Sequence, residues 1–357
     1  MKRCGNLLPA LISDENIAFA IQEVNRRHRI GPHHKPNRVV KWVERTLPDR
    51  IEELRCILRG GFAPSPALRR TIYDTSCRKE REIYIPKLWP DQYVHHALIQ
   101  VIQPIIMRGM DHWSCGSIPG RGPLFGKKGI ERWMRNDKKG TRYCLQMDIR
   151  RFYPSLKPEV VMAQMARKIK DKRVLALIRE TMKDGVPIGC YFSQWYANAA
   201  LEPLDRLMRE HGGAAHHVRY MDNLTVFGPN KRKLRRLVAA VKAWLEAHDL
   251  ALKPDWQIFP TKDRTPDAMG FRFRGGVALP RKKNVLALKR SCIRVYRRIR
   301  NGMNVTPRQA RVILSRVGSL SKARALSVIR KWVEPIGIRR LKAAVRYDDL
   351  WRRLCVA

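Results

Sequence analysis

Acidic residues are scarce in this sequence. Its 357 residues include 31 aspartates and glutamates against 73 lysines and arginines, a formal net charge of +42. An excess of this size needs a polyanion to offset self-repulsion, so we expect nucleic acid first and an anionic membrane surface second. Membrane signals are lacking, because the chain has no run of 18 apolar residues and no basic-then-apolar signal peptide. We therefore expect nucleic-acid partners and no membrane.

Paired cysteines are lacking too. The eight cysteines are spread singly without a CxxC pair, which disfavours a zinc ribbon. Dispersed cysteines in a chain without an export signal predict a reducing, cytoplasmic location. Adjacent histidines, such as His95 and His96, point to different sides of an element, so packing or solvent is favoured over metal chelation. Internal repeats and low-complexity segments are also absent from the sequence.

The apolar patterns that are present predict an α+β fold. Residues 143–275 show the order strand, helix, helix, hairpin, helix, which is typical of a sheet layered on helices. The second of those helices is predicted as one long amphipathic element over residues 193–212. Residues 281–357 hold 22 lysines and arginines against 3 acidic residues. Apolar positions there recur at helical spacing, which indicates an inner face and a basic outer face for a phosphate backbone.

Two aspartates follow apolar strands and are predicted to lie in one sheet. Asp148 ends the strand "YCLQMDI", and Asp222 sits at the tip of the hairpin "VRYMDNLTVF". Two strand-end carboxylates brought together repel each other unless a divalent cation lies between them. Mg²⁺ prefers one or two carboxylates plus substrate phosphate oxygens, and two such ions serve polymerases and nucleases. The alternative for each aspartate alone is a turn residue or a helix cap.

Five blocks in order give the chain a family resemblance. Residues 70–275 resemble the palm region of a reverse transcriptase through the blocks "QMDIRRFYPSL", "VPIGCYFSQWYAN", "RYMDNLTVF", "LKPDWQIFP" and "MGFRF". The resemblance implies a right-hand polymerase that copies RNA into cDNA. The expected divisions are N-terminal helices and fingers at 1–145, a palm at 146–277 and a basic helical thumb at 278–357. A nuclease segment after the thumb is not expected, nor is RNase H activity.

The resemblance also implies roles for the acidic turn. Asp148 would hold two catalytic Mg²⁺ ions with help from the Ile149 carbonyl, with Mn²⁺ as a substitute metal. Asp222 would be the second carboxylate ligand. Asn223 occupies the place of a third carboxylate, and its amide oxygen can accept a hydrogen bond but carries no charge. We therefore expect activity that is weakened or more dependent on metal identity.

Further roles concern the incoming nucleotide. Tyr153 matches the aromatic gate that excludes a ribose 2′-OH, with a core aromatic as an alternative or additional role. Lys79 and Arg81 match the basic fingers strand that grips the triphosphate of the dNTP, and Arg78 is a lesser candidate. Residues at i and i+2 share a strand face and could clamp one phosphate group. The alternative is a solvated strand face.

Other candidates serve the leaving group and the nucleic acid. Either Lys253 or Lys262 would serve the pyrophosphate, and the spacing does not choose between them. Gly270 would let the primer approach closely. The loop at 112–122 has two interpretations: its glycines and Arg121 contact a nucleic-acid phosphate, or it is a plain loop.

The subtype rests on the block "PIGCYFSQWYAN". Ile188 stands where many relatives have glutamine before Gly189, and Gln194 follows Ser193 where they have proline. This pattern is similar to the reverse transcriptases of diversity-generating retroelements, which implies error-prone copying of a repeat-containing RNA, chiefly at template adenines, and a small basic accessory protein. An apolar Ile188 cannot hydrogen-bond the nucleotide sugar, which fits low fidelity. The alternatives are an antiphage defence enzyme and a non-catalytic nucleic-acid-binding relative.

Overall fold

The computed structural model describes residues 3–30, 36–74, 79–183 and 185–354. The helices are α1 (Leu8–Leu11), α2 (Asp14–His28), α3 (Arg38–Arg45), α4 (Leu47–Cys56), α5 (Tyr93–Met107), α6 (Pro123–Asn136), α7 (Phe152–Ser155), α8 (Pro158–Lys168), α9 (Lys172–Thr181), α10 (Ser193–Ala200), α11 (Glu202–Glu210), α12 (Lys231–Glu246), α13 (Lys282–Arg300), α14 (Pro307–Leu320), α15 (Leu326–Val333) and α16 (Ile338–Leu354). The strands are β1 (Leu68–Asp74), β2 (Lys79–Ile85), β3 (Tyr143–Asp148), β4 (His216–Tyr220), β5 (Asn223–Gly228), β6 (Gln257–Pro260), β7 (Asp267–Ala268), β8 (Phe271–Arg274) and β9 (Val277–Pro280). Single π-helical turns occupy Ile57–Gly61 and Leu88–Gln92.

The central sheet is antiparallel in the order β4-β5-β3-β6. Because successive side chains of a strand point to opposite faces, β3 divides its residues between two layers. Leu145 and Met147 join the largest hydrophobic core, which also contains the inner face of α12. Cys144 joins a second core with α6 and the β7-β8-β9 sheet. Asp148 therefore ends β3 on the face opposite to α12.

The prediction of one long helix over residues 193–212 is wrong. The segment forms two helices, α10 and α11, which are separated at Leu201. Pro203 lies in the first turn of α11 and has no amide hydrogen. A continuous helix would need that hydrogen for a bond to the carbonyl four residues earlier, so the proline favours a new helix start.

The C-terminal helices have a hydrophobic core of their own. The helical spacing predicted for this region is confirmed, because Leu288, Cys292 and Val295 on α13 are buried against α14 and α15. This core lies within residues 278–357, the range that the family resemblance assigns to the thumb. Within the described ranges, no helix combines the length and apolar character needed to cross a membrane. Antiparallel sheets packed on helices confirm the predicted α+β fold class.

Candidate active site

Strand pairing brings the acidic candidates together at one end of β3. The register of β3 with β5 sets Asp148 opposite Asn223. Asp222 precedes Asn223 in the tight β4–β5 turn, where Met221 has a left-handed backbone with φ 55°. The Ile149 amide donates to the Asp222 carbonyl oxygen at 3.1 Å, which ties the turn to the end of β3. The structure therefore unites Asp148, Ile149, Asp222 and Asn223.

The two carboxylates make this end of the sheet electrostatically costly. Burial raises the pKa of Asp222 above its ordinary value, and the negative charge of Asp148 raises it further. Lys253 and the amide of Asn223 lower it in part. Removing charged groups from water and placing like charges together both favour protonation, so the turn is suited to a cation.

Lys253 is the cationic partner of Asp148 at the site. Its ammonium group forms an ion pair with Asp148 Oδ1, an oxygen that is buried from solvent. A buried carboxylate requires compensation by positive charge, and here the lysine provides it.

Asn223 interacts directly with the carboxylate beside it. Its Nδ2 donates to Asp222 Oδ1 at 3.0 Å. A carboxylate at this position could not donate and would add a third negative charge. The amide therefore stabilises the ionised form of Asp222 without metal.

The donor set fits Mg²⁺ rather than a protein-enclosed transition metal. The described part of the chain has no cluster of three or more histidine, cysteine, aspartate or glutamate side chains able to hold a metal. Mg²⁺ is commonly held by one or two carboxylates while waters and substrate phosphates complete its octahedron. Asp148 and Asp222, which the strand register brings together, provide that incomplete set.

The structure separates the two lysines predicted for the leaving group. Lys253 lies at the site, where its amide also donates to the Asp148 carbonyl oxygen at 2.9 Å. Lys262 follows β6, whose Pro260 pairs with Tyr143 at the other end of β3. With about 3.3 Å of rise per residue, the two ends of β3 lie roughly 17 Å apart.

Tyr153 lies on α7, close enough to the acidic turn to experience the charge of Asp222. The ring is half-buried against the main core, and Phe152 beside it is fully packed. Burial raises the pKa of the Tyr153 hydroxyl, and the charge of Asp222 raises it further. Tyr153 thus has the core packing predicted as one of its roles while lying near the carboxylates.

Two of the predicted nucleotide residues, Ile188 and Gly189, contact β2 through the backbone. The Tyr84 amide of β2 donates to the Ile188 carbonyl oxygen at 2.7 Å. Gly189 has φ 119°, and a Cβ there would lie 2.0 Å from the Tyr84 carbonyl oxygen. Only glycine allows this approach, so the close contact fixes β2 against the segment that carries Ile188.

The remaining nucleotide candidates are less defined. Arg81 is exposed on β2, and Gln194 is exposed in the first turn of α10. Lys79 begins β2, but its side chain lies outside the described residues, as does all of Arg78.

A cleft lies beside the acidic turn. A cavity of about 550 Å³ is lined by Asp148, Asn223 and Gly270. A second cavity of about 980 Å³ is also lined by Gly270, by Gly120 and Gly122 of the 112–122 loop, and by α14. Gly270 has φ 87° and open space around its α-carbon, as the predicted close approach requires.

The 112–122 loop has a more structural role than its glycines suggested. A Cβ on Gly116 would lie 2.4 Å from Met221 Sδ and 2.7 Å from the Met221 amide nitrogen. Arg121 donates to the Asp111 carbonyl oxygen at 3.0 Å. Gly120 and Gly122 have open space, so only the far part of the loop is free to approach a ligand.

Sequence reasoning assigned no role to a buried ion pair behind the turn. Arg219 and Asp205 are each 1% exposed, and Arg219 Nε lies 2.6 Å from Asp205 Oδ1. The available signal was an arginine inside an apolar strand, two residues before Met221, in a position where charges are rare.

Comparisons with known proteins place the chain in a family. The family described as "Reverse transcriptase (RNA-dependent DNA polymerase)" matches residues 58–272. Protein YkfC of Escherichia coli K12 is 25% identical over 169 residues, which are 43% of this chain and 44% of that protein. The chain thus spans less than half of this curated relative. A solved structure of apo telomerase from Candida tropicalis, truncated from its C-terminal domain, is 12% identical and covers 58% of this chain and 53% of its own, with a TM-score of 0.44.

Proposed function

Because the chain belongs to the reverse transcriptase (RNA-dependent DNA polymerase) family, we propose that it extends a DNA primer on an RNA template at Asp148 and Asp222. The observation that carries this proposal is the β3–β5 register, which sets Asp148 beside the Asp222–Asn223 turn within the matched region. The crowding of negative charge supports a metal-binding role, because burial and the charge of Asp148 both raise the pKa of Asp222.

Each side chain at the site has a chemical task in this proposal. Asp148 and Asp222 would hold Mg²⁺, which would supply Lewis-acid stabilisation of the attacking and leaving oxygens. Lys253 Nζ, beside Asp148, places a positive charge and a proton near the pyrophosphate leaving group. In this proposal the ring of Tyr153 excludes a ribose 2′-OH. Arg81 and Lys79 on β2 hold the triphosphate through charge-assisted hydrogen bonds.

The cleft provides the nucleic-acid path. We assign residues 1–145 to the N-terminal helices and fingers, 146–277 to the palm and 278–357 to the thumb. The larger cavity lies where the 112–122 loop, Gly270 and α14 meet, and the thumb assigned here is strongly basic. Lysines and arginines along such a cleft neutralise phosphates without reading base sequence.

Primer extension with purified protein tests the activity. Wild type with an RNA template, a DNA primer, dNTPs and Mg²⁺ should give DNA product, and Asp148→Asn should lose at least about a hundredfold in rate. Asp263→Asn is a matched control, because Asp263 is exposed beyond β6 at the far end of the sheet. Equal product from wild type and Asp148→Asn, or no product from wild type, would refute the proposal.

We also propose that copying is error-prone, as in a diversity-generating retroelement. Ile188 supports this, since its half-buried side chain is apolar and its carbonyl is fixed by Tyr84. Product sequencing should show errors concentrated at template adenines, and Ile188→Gln should lower them. Ile338→Gln, on an exposed position of α16, should leave the error pattern unchanged. Uniformly accurate copying at adenines would refute this subtype.

A further inference from the structure

The Arg219 guanidinium uses every hydrogen-bond donor it has. Nε and Nη2 donate to the two carboxylate oxygens of Asp205 at 2.6 and 2.7 Å. Nη2 also donates to Ser114 Oγ at 3.0 Å, and Nη1 donates to Asn198 Oδ1 at 2.9 Å and to the Met221 carbonyl oxygen at 3.1 Å. Arginine has five N–H donors in a fixed fork, and these five bonds use all of them.

These bonds join four separate segments behind the acidic turn. Asp205 belongs to α11, Asn198 to α10 and Ser114 to the 112–122 loop, while Met221 belongs to the turn itself. Ser114 Oγ donates to Asp205 Oδ2 at 2.6 Å, so the carboxylate is held from both sides.

A second contact closes the same assembly from the loop side. Asn198 Nδ2 donates to the Gly116 carbonyl oxygen at 2.8 Å. That bond holds Gly116 where its α-carbon packs on Met221 without room for a Cβ. Met221 is thus contacted on its carbonyl by Arg219 and on its amide side by Gly116, and its left-handed φ is enclosed between them.

We propose that Arg219 is a positioning residue, which holds the Met221 carbonyl so that the carboxylate of Asp222 meets that of Asp148 in metal-binding geometry. This inference rests on the proposed function. A buried ion pair adds little stability compared with packed apolar side chains, so stability alone does not explain the pair. The planar fork of the guanidinium explains why this residue is an arginine, because a lysine cannot make the same five hydrogen bonds.

Two variants separate positioning from stability. Arg219→Lys keeps the charge beside Asp205 but loses the fork. The double variant Arg219→Met with Asp205→Leu removes both buried charges, so no unpaired charge remains to unfold the protein. The matched control is another buried pair, Lys168 and Glu202, replaced together by Met and Leu. Lys168 Nζ lies 2.5 Å from Glu202 Oε2, and the pair bonds to none of the turn residues described above.

The readouts use the full-length protein and do not depend on turnover. Mn²⁺ binding is measured by electron paramagnetic resonance, and amide exchange of the peptide 216–224 is measured in EDTA. Residues that orient metal ligands typically contribute 10–100-fold in affinity, so both Arg219 variants should weaken Mn²⁺ binding by about tenfold or more. Their 216–224 peptide should exchange faster, while the Lys168/Glu202 control keeps wild-type values in both assays.

The outcomes distinguish this inference from the function on which it rests. Wild-type Mn²⁺ affinity in folded Arg219 variants would overturn the positioning role while leaving the metal site intact. An equal loss in the Lys168/Glu202 control would also overturn it, since any buried pair would then suffice. If Asp148→Asn binds Mn²⁺ as wild type does, the metal site itself is refuted, and the positioning role fails with it.

Discussion

Asn223→Asp introduces a third carboxylate and should make the stability of the site more dependent on bound metal. The change removes the bond from Asn223 Nδ2 to Asp222 Oδ1. A hydrogen bond to a charged group contributes about 1.5–3 kcal/mol, and Asn223 is exposed, so the lower end applies. The new charge also repels Asp222 by about 1 kcal/mol in water, and by more as the pair becomes less hydrated.

These terms set the expected size of the effect. Together they make the metal-free variant less stable by about 2.5 kcal/mol, and bound Mg²⁺ recovers slightly more than half of that energy. Since 1.4 kcal/mol corresponds to a factor of ten, the half-saturating Mg²⁺ concentration should fall by about tenfold.

The assay is thermal unfolding against Mg²⁺ concentration, followed by primer extension over the same range. In EDTA the variant should melt below wild type, and the difference should shrink as Mg²⁺ rises. Asn304→Asp is the control, because it adds the same charge at an exposed position after α13. Identical Mg²⁺ midpoints for Asn223→Asp and wild type would refute the electrostatic reasoning, and an unchanged extension rate would show that the third charge is dispensable.

Two further predictions concern the contact between β2 and Gly189 and the pH response of Asp222. Gly189→Ala should displace Tyr84 and raise the KM for dNTPs by roughly tenfold. The control Gly185→Ala is also at positive φ but in open space, so it should lower only the stability of the protein. Equal KM values for Gly189→Ala and wild type would contradict a role for the contact. Because the raised pKa of Asp222 lets the folded protein keep this proton above the ordinary value of 3.8, stability in EDTA should fall as pH rises through the raised pKa. Asp222→Asn should therefore have a higher melting temperature than wild type at neutral pH, and the two melting temperatures should converge near pH 4. Asp263→Asn should show no such trend. A difference in melting temperature between Asp222→Asn and wild type that does not change with pH would contradict the raised pKa of Asp222.

Local sequence patterns predicted most of the elements and the meeting of the carboxylates. The strand before Asp148 and the hairpin around Asp222 are periodic segments whose pairing follows from a short turn. The split between α10 and α11 could also have been predicted, because Pro203 was visible. There the apolar periodicity on both sides of the proline was given too much weight.

Other features depend on register and long-range contact, which a single sequence does not contain. The choice between Lys253 and Lys262 follows from the pairing of β6 with β3. The Arg219–Asp205 pair joins a strand to a helix 14 residues away in the chain, and Ser114 is 105 residues from Arg219. No local pattern specifies such partners, although the arginine itself could be recognised in the sequence as a charge inside an apolar strand.

The separate hydrophobic core of the C-terminal helices has an evolutionary consequence. Leu288 and Ile313 pack with other residues of this region and belong to neither of the other two cores. Substitutions on the outer basic face of α13 and α14 can therefore accumulate without disturbing the packing of the sheet that holds Asp148. Such an arrangement lets the basic surface of these helices change in evolution while the sheet that holds Asp148 is inherited unchanged.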